Sequence, residues 1–566
     1  MAQKTKKNKT GNNNDYYNNG LNKLKLLPFT SFKSEVENSN ITSQAEALYY
    51  MLRGDNVLLC GQAGTGKSFV IETFCNILDE MNARLEEENK FLKGAHKTLK
   101  YAVTASTGIA ASLINAVTIH SWSSLRIDVD KPTFDSIKGY KADKKRWNMA
   151  CSKIKSIDIL IIDEISMLPA YFITNLDALM KIACNNDRPF GGKQIIAVGD
   201  FLQLPPVDKK EYDSSGNLVD SRMCYYSQAF KDAAFKSCYL DVIHRSNDES
   251  LTAVLNHIRE ANVSSHDLEV LNSRYVEKVE KPEGKTFTQL YTKNCNVDYI
   301  NNGKLKELSG EACTFTSKCH SFNDFGDKIM DASVKLQKDA RIPKELSLKV
   351  GAVVMLTANN AEINKQGHVN GSIGRIIDIE TSNSHSIYNT VVYVKFNDGL
   401  IGEVGVKSAE RHVIIPMGMG RDMKYVKSIT AKVDYIPLKL AWAITVHKSQ
   451  GQTLDGAIID LSNCFQKGLG YVAVSRVRAL NDIILASPLD GSELELDEET
   501  MRVDEAAKSS AKKSHEILLG ELKNNNDAFN EKFKMFENNV ELYLLIKDRW
   551  KTTHEEHSKS SDSFFD

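Results

Sequence analysis

The chain has 566 residues, of which 42% are hydrophobic and 26% are charged, a balance typical of globular proteins. At roughly 100–200 residues per domain, this length predicts about three to five domains. The 72 basic and 73 acidic side chains leave a net charge of −1, which excludes a globally basic surface, so nucleic acid could bind only in a local basic channel.

The first predicted segment is a disordered basic arm over residues 1–26. It carries six lysines, seven asparagines and one aspartate, and too few apolar residues to form a core. A passive solubilising tail and weak, non-specific contact with DNA are both open interpretations of this arm.

From Ser43 onward, short apolar runs alternate with helical segments. A helix is predicted over Gln44–Arg53, and buried strands are predicted at 57–60, 101–106, 157–163, 194–200, 289–292 and 456–461. Apolar strands that alternate with helices are typical of parallel sheets, and therefore of the α/β class. We predict one α/β domain over 27–238 and a second over 239–490.

Two later segments have a different pattern. Residues 375–435 contain short β-rich runs separated by Gly and Asn-Asp-Gly turns, which predict a small β module inserted in the second domain. Residues 491–566 are polar and helical, and we predict a C-terminal helical extension with a frayed end.

Cysteine usage and hydropathy indicate the cellular environment. The ten cysteines form no CxxC pair, which fits reduced thiols, and no run of 18 apolar residues is present. The N-terminus also lacks the apolar region of a secretory signal. We therefore expect a soluble intracellular protein with no membrane partner, cytoplasmic in a bacterium or phage and nuclear or mitochondrial in a eukaryote.

A complete phosphate-binding loop, GQAGTGKS, lies between the first predicted strand and a helix. Glycines let the backbone N–H groups face phosphate oxygens, and the helix N-terminus adds about half a positive charge. Lys67 is predicted to reach the β and γ phosphates, and Ser68 to offer its hydroxyl to Mg²⁺. The predicted nucleotide contacts of this segment are Gly61, Ala63, Gly64, Thr65, Gly66, Lys67, Ser68 and Phe69.

A second signal for nucleotide hydrolysis is LIIDE, at residues 160–164. An apolar strand delivers two carboxylates at its end. Asp163 is placed to hold Mg²⁺, usually through water, and Glu164 is the natural base for the attacking water. Both signals together predict an NTPase, but they do not indicate what the hydrolysis drives.

Several other segments carry that information. They include TASTGIAASLI from Thr104, GDFLQLPPV at 199–207, LDVIHRS at 240–246, HKSQG at 447–451 and VAVSR at 472–476. In this order they closely resemble the PIF (petite integration frequency) family of superfamily-one DNA helicases and its RecD-type relatives. The resemblance covers roughly residues 40–488 of the chain.

The resemblance implies two RecA-like P-loop domains with ATP between them, 5′-to-3′ movement on single-stranded DNA and unwinding of duplex. It implies ATP and Mg²⁺ as cofactors, and a monomeric motor on single-stranded and forked DNA with replication or repair proteins as partners. The β module is similar to the family's SH3-like domain, and residues 126–153 to its small inserted wedge. The family acts in replication, repair, recombination and telomere or genome maintenance.

The resemblance also implies individual residue roles. Gln44 matches the glutamine that recognises adenine, and Gln203 matches the γ-phosphate sensor. Arg245 and Arg476 match arginines that the second domain lends to the γ-phosphate, and Gly451 lies where the family approaches nucleotide. The segments that track the DNA strand contain Thr104, Ser106, Thr107, His120, His447, Lys448 and Ser449.

Two alternatives stay open. One is an RNA-remodelling helicase of the same superfamily, which ATPase stimulation by DNA and RNA homopolymers would separate. The other is a motor subunit of a recombination complex, which would need a partner for unwinding. A small-molecule P-loop kinase is disfavoured, because it would leave Gln203, Arg245 and Arg476 without a purpose.

Overall fold

The computed structural model describes residues 34–91, 98–107, 110–111, 114, 116–125, 144–206, 222–244, 248–277, 279, 287–293, 297–321, 330–340, 342–358, 372–381, 387–396, 399–417 and 424–524. The predicted basic arm and residues 525–566 lie outside these ranges, as does Arg245. Within them, no helix has the length and apolar character needed to cross a membrane.

The strands are, in chain order, β1 (Val57–Gly61), β2 (Tyr101–Ala105), β3 (Val117–Thr118), β4 (Ile159–Asp163), β5 (Gln194–Gly199), β6 (Lys236–Leu240), β7 (Thr288–Tyr291), β8 (Cys313–Thr316), β9 (Lys318–Ser321), β10 (Glu345–Leu348), β11 (Val353–Leu356), β12 (Ile373–Thr381), β13 (Thr390–Phe396), β14 (Ile401–Val404), β15 (Lys407–Met417), β16 (Lys424–Tyr435), β17 (Leu438–Leu440), β18 (Ala443–Thr445), β19 (Ala457–Asp460) and β20 (Ile483–Leu485).

The helices are α1 (Gln44–Arg53), α2 (Lys67–Phe91), α3 (Ile119–Ser123), α4 (Lys144–Ser156), α5 (Ala170–Cys184), α6 (Gln228–Asp232), α7 (Glu249–Arg259), α8 (Ser265–Asn272), α9 (Val297–Glu307), α10 (Met330–Asp339), α11 (Val446–Ser449), α12 (Leu469–Val474) and α13 (Glu498–Asn524).

The N-terminal sheet has the strand order β3-β2-β4-β5-β1-β6, and every pairing in it is parallel. Side chains alternate along β1, so Leu58 enters the hydrophobic core on one face and Leu59 the core on the other. Because both faces are covered, the strand is a continuous apolar run, as expected for a buried parallel strand.

The C-terminal sheet has the order β18-β7-β19-β20 and is also parallel. Its buried core includes Leu290, Ile444 and Ile459, one from each of the three strands β7, β18 and β19. Two parallel sheets flanked by helices confirm the predicted α/β class. The exact domain boundaries stay predictions.

The strands between β7 and β18 pair in an antiparallel manner. They form a five-stranded sheet, β14-β13-β12-β11-β17, a three-stranded sheet, β15-β16-β9, and the pair β10-β8. This β-rich region begins at Cys313 and ends at Leu440, so it extends beyond the predicted 375–435 on both sides. The SH3-like assignment stays a prediction.

The proposed wedge segment is described only in part. Residues 126–143 lie outside the described ranges, and the following residues form α4. On that helix Ala150 and Ile154 are fully buried in the core beneath the N-terminal sheet. The end of the segment therefore packs as part of the N-terminal α/β unit, and strand separation by the rest stays a prediction.

Helix α13 returns the chain from the C-terminal sheet to the N-terminal one. Ala507 and Ala511 join the core on one face of that sheet, while Leu518 and Leu522 join the core on the other. The helix therefore covers the edge strand β6, which would otherwise present unpaired backbone groups. The predicted C-terminal extension is thus, over 498–524, an integral part of the N-terminal unit.

Candidate functional site

The phosphate-binding loop connects β1 to α2 through glycines with positive φ. Gly61, Gly64 and Gly66 have φ angles of 149°, 86° and 88°. A Cβ on Gly61 would lie 2.4 Å from the backbone oxygen of Leu240, and one on Gly66 would lie 2.3 Å from Gln44 Nε2. Only glycine fits these positions, so the sequence motif is a geometric requirement of the loop.

Lys67 begins α2 and turns its ammonium group back over the loop. Its Nζ donates to the carbonyl oxygens of Gly61 at 2.6 Å and Gln62 at 2.9 Å. Burial lowers the pKa of Lys67 below its usual value, although the charges of Asp200, Glu164 and Asp163 oppose that shift. A cation held against neutral carbonyls in this way can exchange them for phosphate oxygens.

Some of the other loop residues stabilise the loop conformation, and others have exposed side chains. Thr65 is buried and its hydroxyl donates to the Gln62 carbonyl at 3.0 Å, which fixes the turn. Ala63 is partly buried, while Ser68 and Phe69 present exposed side chains in the first turn of α2. The Ser68 hydroxyl is therefore accessible at the helix N-terminus, where a metal or phosphate would lie.

Gln44 lies against the same loop. It is the first residue of α1, whose N-terminus is capped by the Ser43 hydroxyl, and its Nε2 donates to the Thr65 carbonyl at 3.2 Å. The His244 backbone N–H also donates to Gly64 O at 2.9 Å. The chain immediately before Arg245 therefore contacts the phosphate loop, while Arg245 itself lies outside the described residues and its role stays a prediction.

Two carboxylates stand at the end of β4, beside Lys67. Asp163 Oδ1 accepts the Glu164 backbone N–H at 2.9 Å, and Glu164 adopts a left-handed conformation with φ 53° and ψ 47°. Burial and the neighbouring Asp163 charge raise the pKa of Glu164 to about 7, and burial raises the pKa of Asp163. A carboxylate with such a pKa beside a phosphate loop suits a general base.

The C-terminal sheet reaches this site through the HKSQG segment. Gln450 Nε2 donates to Glu164 Oε2 at 3.3 Å, and Gly451, with φ 75°, follows it. The Arg476 charge also acts on the Glu164 carboxylate and partly opposes the rise of its pKa. Residues from both parallel sheets therefore surround the predicted base.

Arg476 is almost completely buried, with 1% of its surface exposed. Its guanidinium donates to the Val472 carbonyl at 2.7 Å, the Ser475 hydroxyl at 2.8 Å and the carbonyls of Ser449 and Gln452 at 3.4 Å. Burial lowers its pKa, and the Glu164 charge opposes that effect. These hydrogen-bond acceptors are all neutral, so the charge remains available to an anion.

Gln203 is held by Asp200, three residues earlier in GDFLQLPPV. The Gln203 amide donates to Asp200 Oδ2 at 3.0 Å, while its own Oε1 is buried without a hydrogen-bond partner among the described residues. Burial disfavours the Asp200 charge, but Arg259 and Lys67 outweigh that effect and keep its pKa below the usual value. An ionised Asp200 thus orients an amide oxygen that can accept a bond from water.

Sequence reasoning missed Arg259, the last residue of α7. Its guanidinium binds both Asp200 oxygens at 2.9 Å, the hydroxyls of Tyr239 and Tyr471 at 2.7 Å, and both Asp504 oxygens at 3.2 Å. We call these five side chains the Arg259 cluster. It joins the N-terminal sheet, the C-terminal sheet and α13 at one buried point, and only tertiary packing brings its members together.

The predicted DNA-contacting residues are not equally accessible. Thr104 and Ser449 are fully buried, and their hydroxyls donate to the carbonyls of Ile161 and Val446, each at 2.7 Å. These two side chains offer no exposed donor to a DNA phosphate in this structure, which argues against the direct contact that we expected. Ser106 Oγ is buried without a partner among the described residues, so it keeps an unused donor.

The remaining candidates are partly exposed. Thr107 Oγ1 accepts the Ala110 N–H at 3.2 Å. The His120 ring packs 4.4 Å from Phe172, and burial lowers its pKa to about 4, so the ring is neutral near pH 7. Burial also lowers the pKa of His447, and Lys448 follows it in α11. These residues stay predicted DNA contacts.

Comparison with known proteins identifies the relatives of this chain. The PIF1-like helicase family model matches residues 35–254. The ATP-dependent DNA helicase Pif1 of a Psychrobacter species is 32% identical over 520 residues, which cover 84% of this chain and 71% of that protein. The chain belongs to the PIF1-like helicase family. The Danio rerio family member PIF1 is 31% identical, and the match covers 78% of this chain but only 60% of that relative.

Solved structures of family members share the fold. The crystal structure of a Bacteroides Pif1 in complex with ADP-AlF4 has a TM-score of 0.63 and 26% identity, and covers 82% of this chain and 97% of that chain. A Bacteroides Pif1 in complex with ADP-AlF3 and single-stranded DNA has a TM-score of 0.54 and 26% identity over the same shares. The predicted family is therefore confirmed, together with its general architecture.

Proposed function

We propose that this chain is an ATP-dependent DNA helicase that moves 5′ to 3′ along single-stranded DNA and unwinds duplex ahead of it. The observation that carries this proposal is the composition of the nucleotide site. Lys67 and Glu164 come from the N-terminal sheet, and Gln450 and Arg476 approach Glu164 from the C-terminal sheet. A site shared by two units lets nucleotide turnover change their separation, which is what a translocating motor needs.

Each site residue then has a chemical role. Lys67 and the loop N–H groups bind the β and γ phosphates, and Gln44 contacts the adenine. Glu164 takes the proton of the attacking water, for which a pKa of about 7 is well matched. Arg476, with Arg245, stabilises the charge that develops on the γ-phosphate, a contribution of about 10³–10⁵ in rate for comparable arginines.

Mg²⁺ fits the oxygen donors beside the loop. Ser68 has an exposed hydroxyl, and Asp163 has a partly buried carboxylate whose pKa is raised by burial, so a nearby cation would favour its ionised form. When bound there, the ion would neutralise phosphate charge. Neither residue has another evident task, because Ser68 lies at the surface of α2 and Asp163 pairs only with the next backbone N–H among its described hydrogen bonds.

Strand-displacement assays test this proposal. Duplexes with a 5′ tail, a 3′ tail or a fork are incubated with ATP and Mg²⁺, and Glu164→Gln serves as a control that binds nucleotide without hydrolysis. We expect unwinding from the 5′ tail and the fork only. Efficient unwinding from a 3′ tail would contradict the direction of movement. Stronger stimulation of the ATPase by RNA than by DNA homopolymers would favour an RNA-remodelling motor.

A further inference from the structure

Three neighbouring strands of the C-terminal sheet end at the same edge. These strands are β18, β7 and β19, in their order across the sheet. Within two to five residues of the ends of these strands lie His447, Lys293 and Phe465, respectively. In parallel α/β sheets, ligands bind beyond the carboxyl ends of the strands. The topology thus places an imidazole, an ammonium group and a phenyl ring together where a ligand is expected.

The three side chains form a layered arrangement, which we call the Phe465 platform. The rings of Phe465 and His447 are nearly parallel, with 14° between their planes and 6.3 Å between centroids. Lys293 Nζ lies 5.8 Å from the centroid of the Phe465 ring. Phe465 is nevertheless 57% exposed, so packing within the protein does not account for its position.

Hydrogen bonds fix the loop that carries Phe465 both before and after this residue. The Asn463 carbonyl accepts the Thr292 hydroxyl at 3.0 Å, and the Gly468 N–H donates to the Glu495 carbonyl at 3.0 Å. A Cβ on Gly468 would lie 3.3 Å from the backbone oxygen of Leu202, so the loop also touches the turn that holds Gln203. The exposed ring is therefore held rigidly beside the junction of the two sheets.

We infer that the Phe465 platform stacks one nucleobase of the bound single strand, an inference that rests on the proposed helicase function. Every base has a π face, so stacking on phenylalanine suits a motor that must accept any sequence. Burial lowers the pKa of His447, so the imidazole that stacks on the Phe465 ring is neutral. The Lys293 ammonium group lies over the Phe465 ring, 5.8 Å from its centroid, and adds a positive charge that would attract the phosphate next to a stacked base.

The test compares Phe465→Leu with a matched control. The leucine keeps an apolar side chain but lacks the π face. Tyr299→Leu removes another aromatic residue, which is 81% exposed on α9 of the same unit. Affinity for a fluorescently labelled oligo(dT) is measured by anisotropy, with melting curves to verify folding. We expect Phe465→Leu to bind about 5- to 100-fold more weakly, and Tyr299→Leu to bind like the unmodified chain.

A second variant gives a direct reading of stacking. In Phe465→Trp the indole replaces the phenyl ring, so its fluorescence should be quenched as oligo(dT) binds, with affinity retained. If Phe465→Leu binds as tightly as the control, or the tryptophan signal stays constant while anisotropy reports binding, the platform is not a base-stacking site. If the unmodified chain binds no single strand at all, the proposed function itself is wrong, which is a different outcome.

Discussion

Replacing Arg259 with methionine removes the cation at the centre of the Arg259 cluster while it keeps most of the side-chain volume. In the folded protein, the Arg259 side chain is 8% exposed, and its partners Asp200 and Asp504 are 0% and 10% exposed. The substitution therefore leaves two carboxylates with little access to water and without their shared counter-ion.

Breaking a buried ion pair by removing one partner typically costs about 3–5 kcal/mol. Asp200 keeps the Gln203 amide and Asp504 keeps the Tyr239 hydroxyl as donors, but neither donor carries a charge. Asp504→Asn should cost less, about 1–2 kcal/mol, because it weakens hydrogen bonds without stranding a charge. The double variant should cost less than the sum of both, because the two residues share one interaction.

Native-state hydrogen exchange measures this cost locally, which matters because a multidomain chain has no single unfolding free energy. For Arg259→Met we expect amides of β5 and β6 to exchange about 10² to 4 × 10³ times faster, since every 1.4 kcal/mol corresponds to tenfold. Arg502→Met is the control: that side chain is 81% exposed on α13, 3.9 Å from Glu498, so its loss should change little. Exchange within threefold of the unmodified chain, or additive costs in the double variant, would refute this account of the cluster.

Gly61→Ala should abolish ATP binding in a fluorescent-nucleotide titration, because the new Cβ would lie 2.4 Å from a backbone oxygen of β6. Gly520→Ala in α13 is the control: its Cβ meets nothing within 4 Å, so this variant should bind nucleotide normally. Arg476→Ala should lower DNA-stimulated ATPase turnover about 10³-fold or more with nucleotide still bound; near-normal turnover would contradict its role. Burial lowers the pKa of His120 to about 4, so this ring gains no charge between about pH 8 and pH 6 and His120→Gln should not alter the pH dependence of single-strand affinity. A pH-dependent tightening that disappears in His120→Gln would contradict this.

Local sequence signals were sufficient for most elements of the two parallel sheets. The helix predicted over Gln44–Arg53 has the same bounds in the structure, because the Ser43 hydroxyl caps its start and Gly54, with φ 93°, ends it. Buried parallel strands are continuous apolar runs, so their positions could be read without knowledge of their neighbours. The phosphate loop could be recognised from its motif alone, although the contacts that require its glycines come from distant residues, Leu240 on β6 and Gln44 on α1.

The parts that could not be predicted depend on contacts distant in sequence. Arg259 binds Asp200 across 59 residues and Asp504 across 245 residues, and no periodic pattern links these positions. The return of α13 was missed for a related reason, because its buried contacts include the small residues Ala507 and Ala511, which carry a weak apolar signal. Thr104 is the opposite case. The segment around it predicts DNA contact, but its buried hydroxyl donates to the Ile161 carbonyl within the sheet.

Two of the contacts between the units, the Gln450–Glu164 bond and the Arg259 cluster, differ in strength, and we expect this difference to determine how the site opens. The Gln450–Glu164 bond is a single interaction at 3.3 Å, which contributes about 1–3 kcal/mol at most. The Arg259 cluster joins the same two units through several charged hydrogen bonds of 2.7–2.9 Å and is also tied to α13. Because the weaker contact breaks first, we expect opening to separate Glu164 from the C-terminal sheet while the cluster stays closed. The cluster would then act as the pivot. Because Asp200 also orients Gln203, the predicted γ-phosphate sensor, the Asp200 carboxylate would belong both to the pivot and to the sensor.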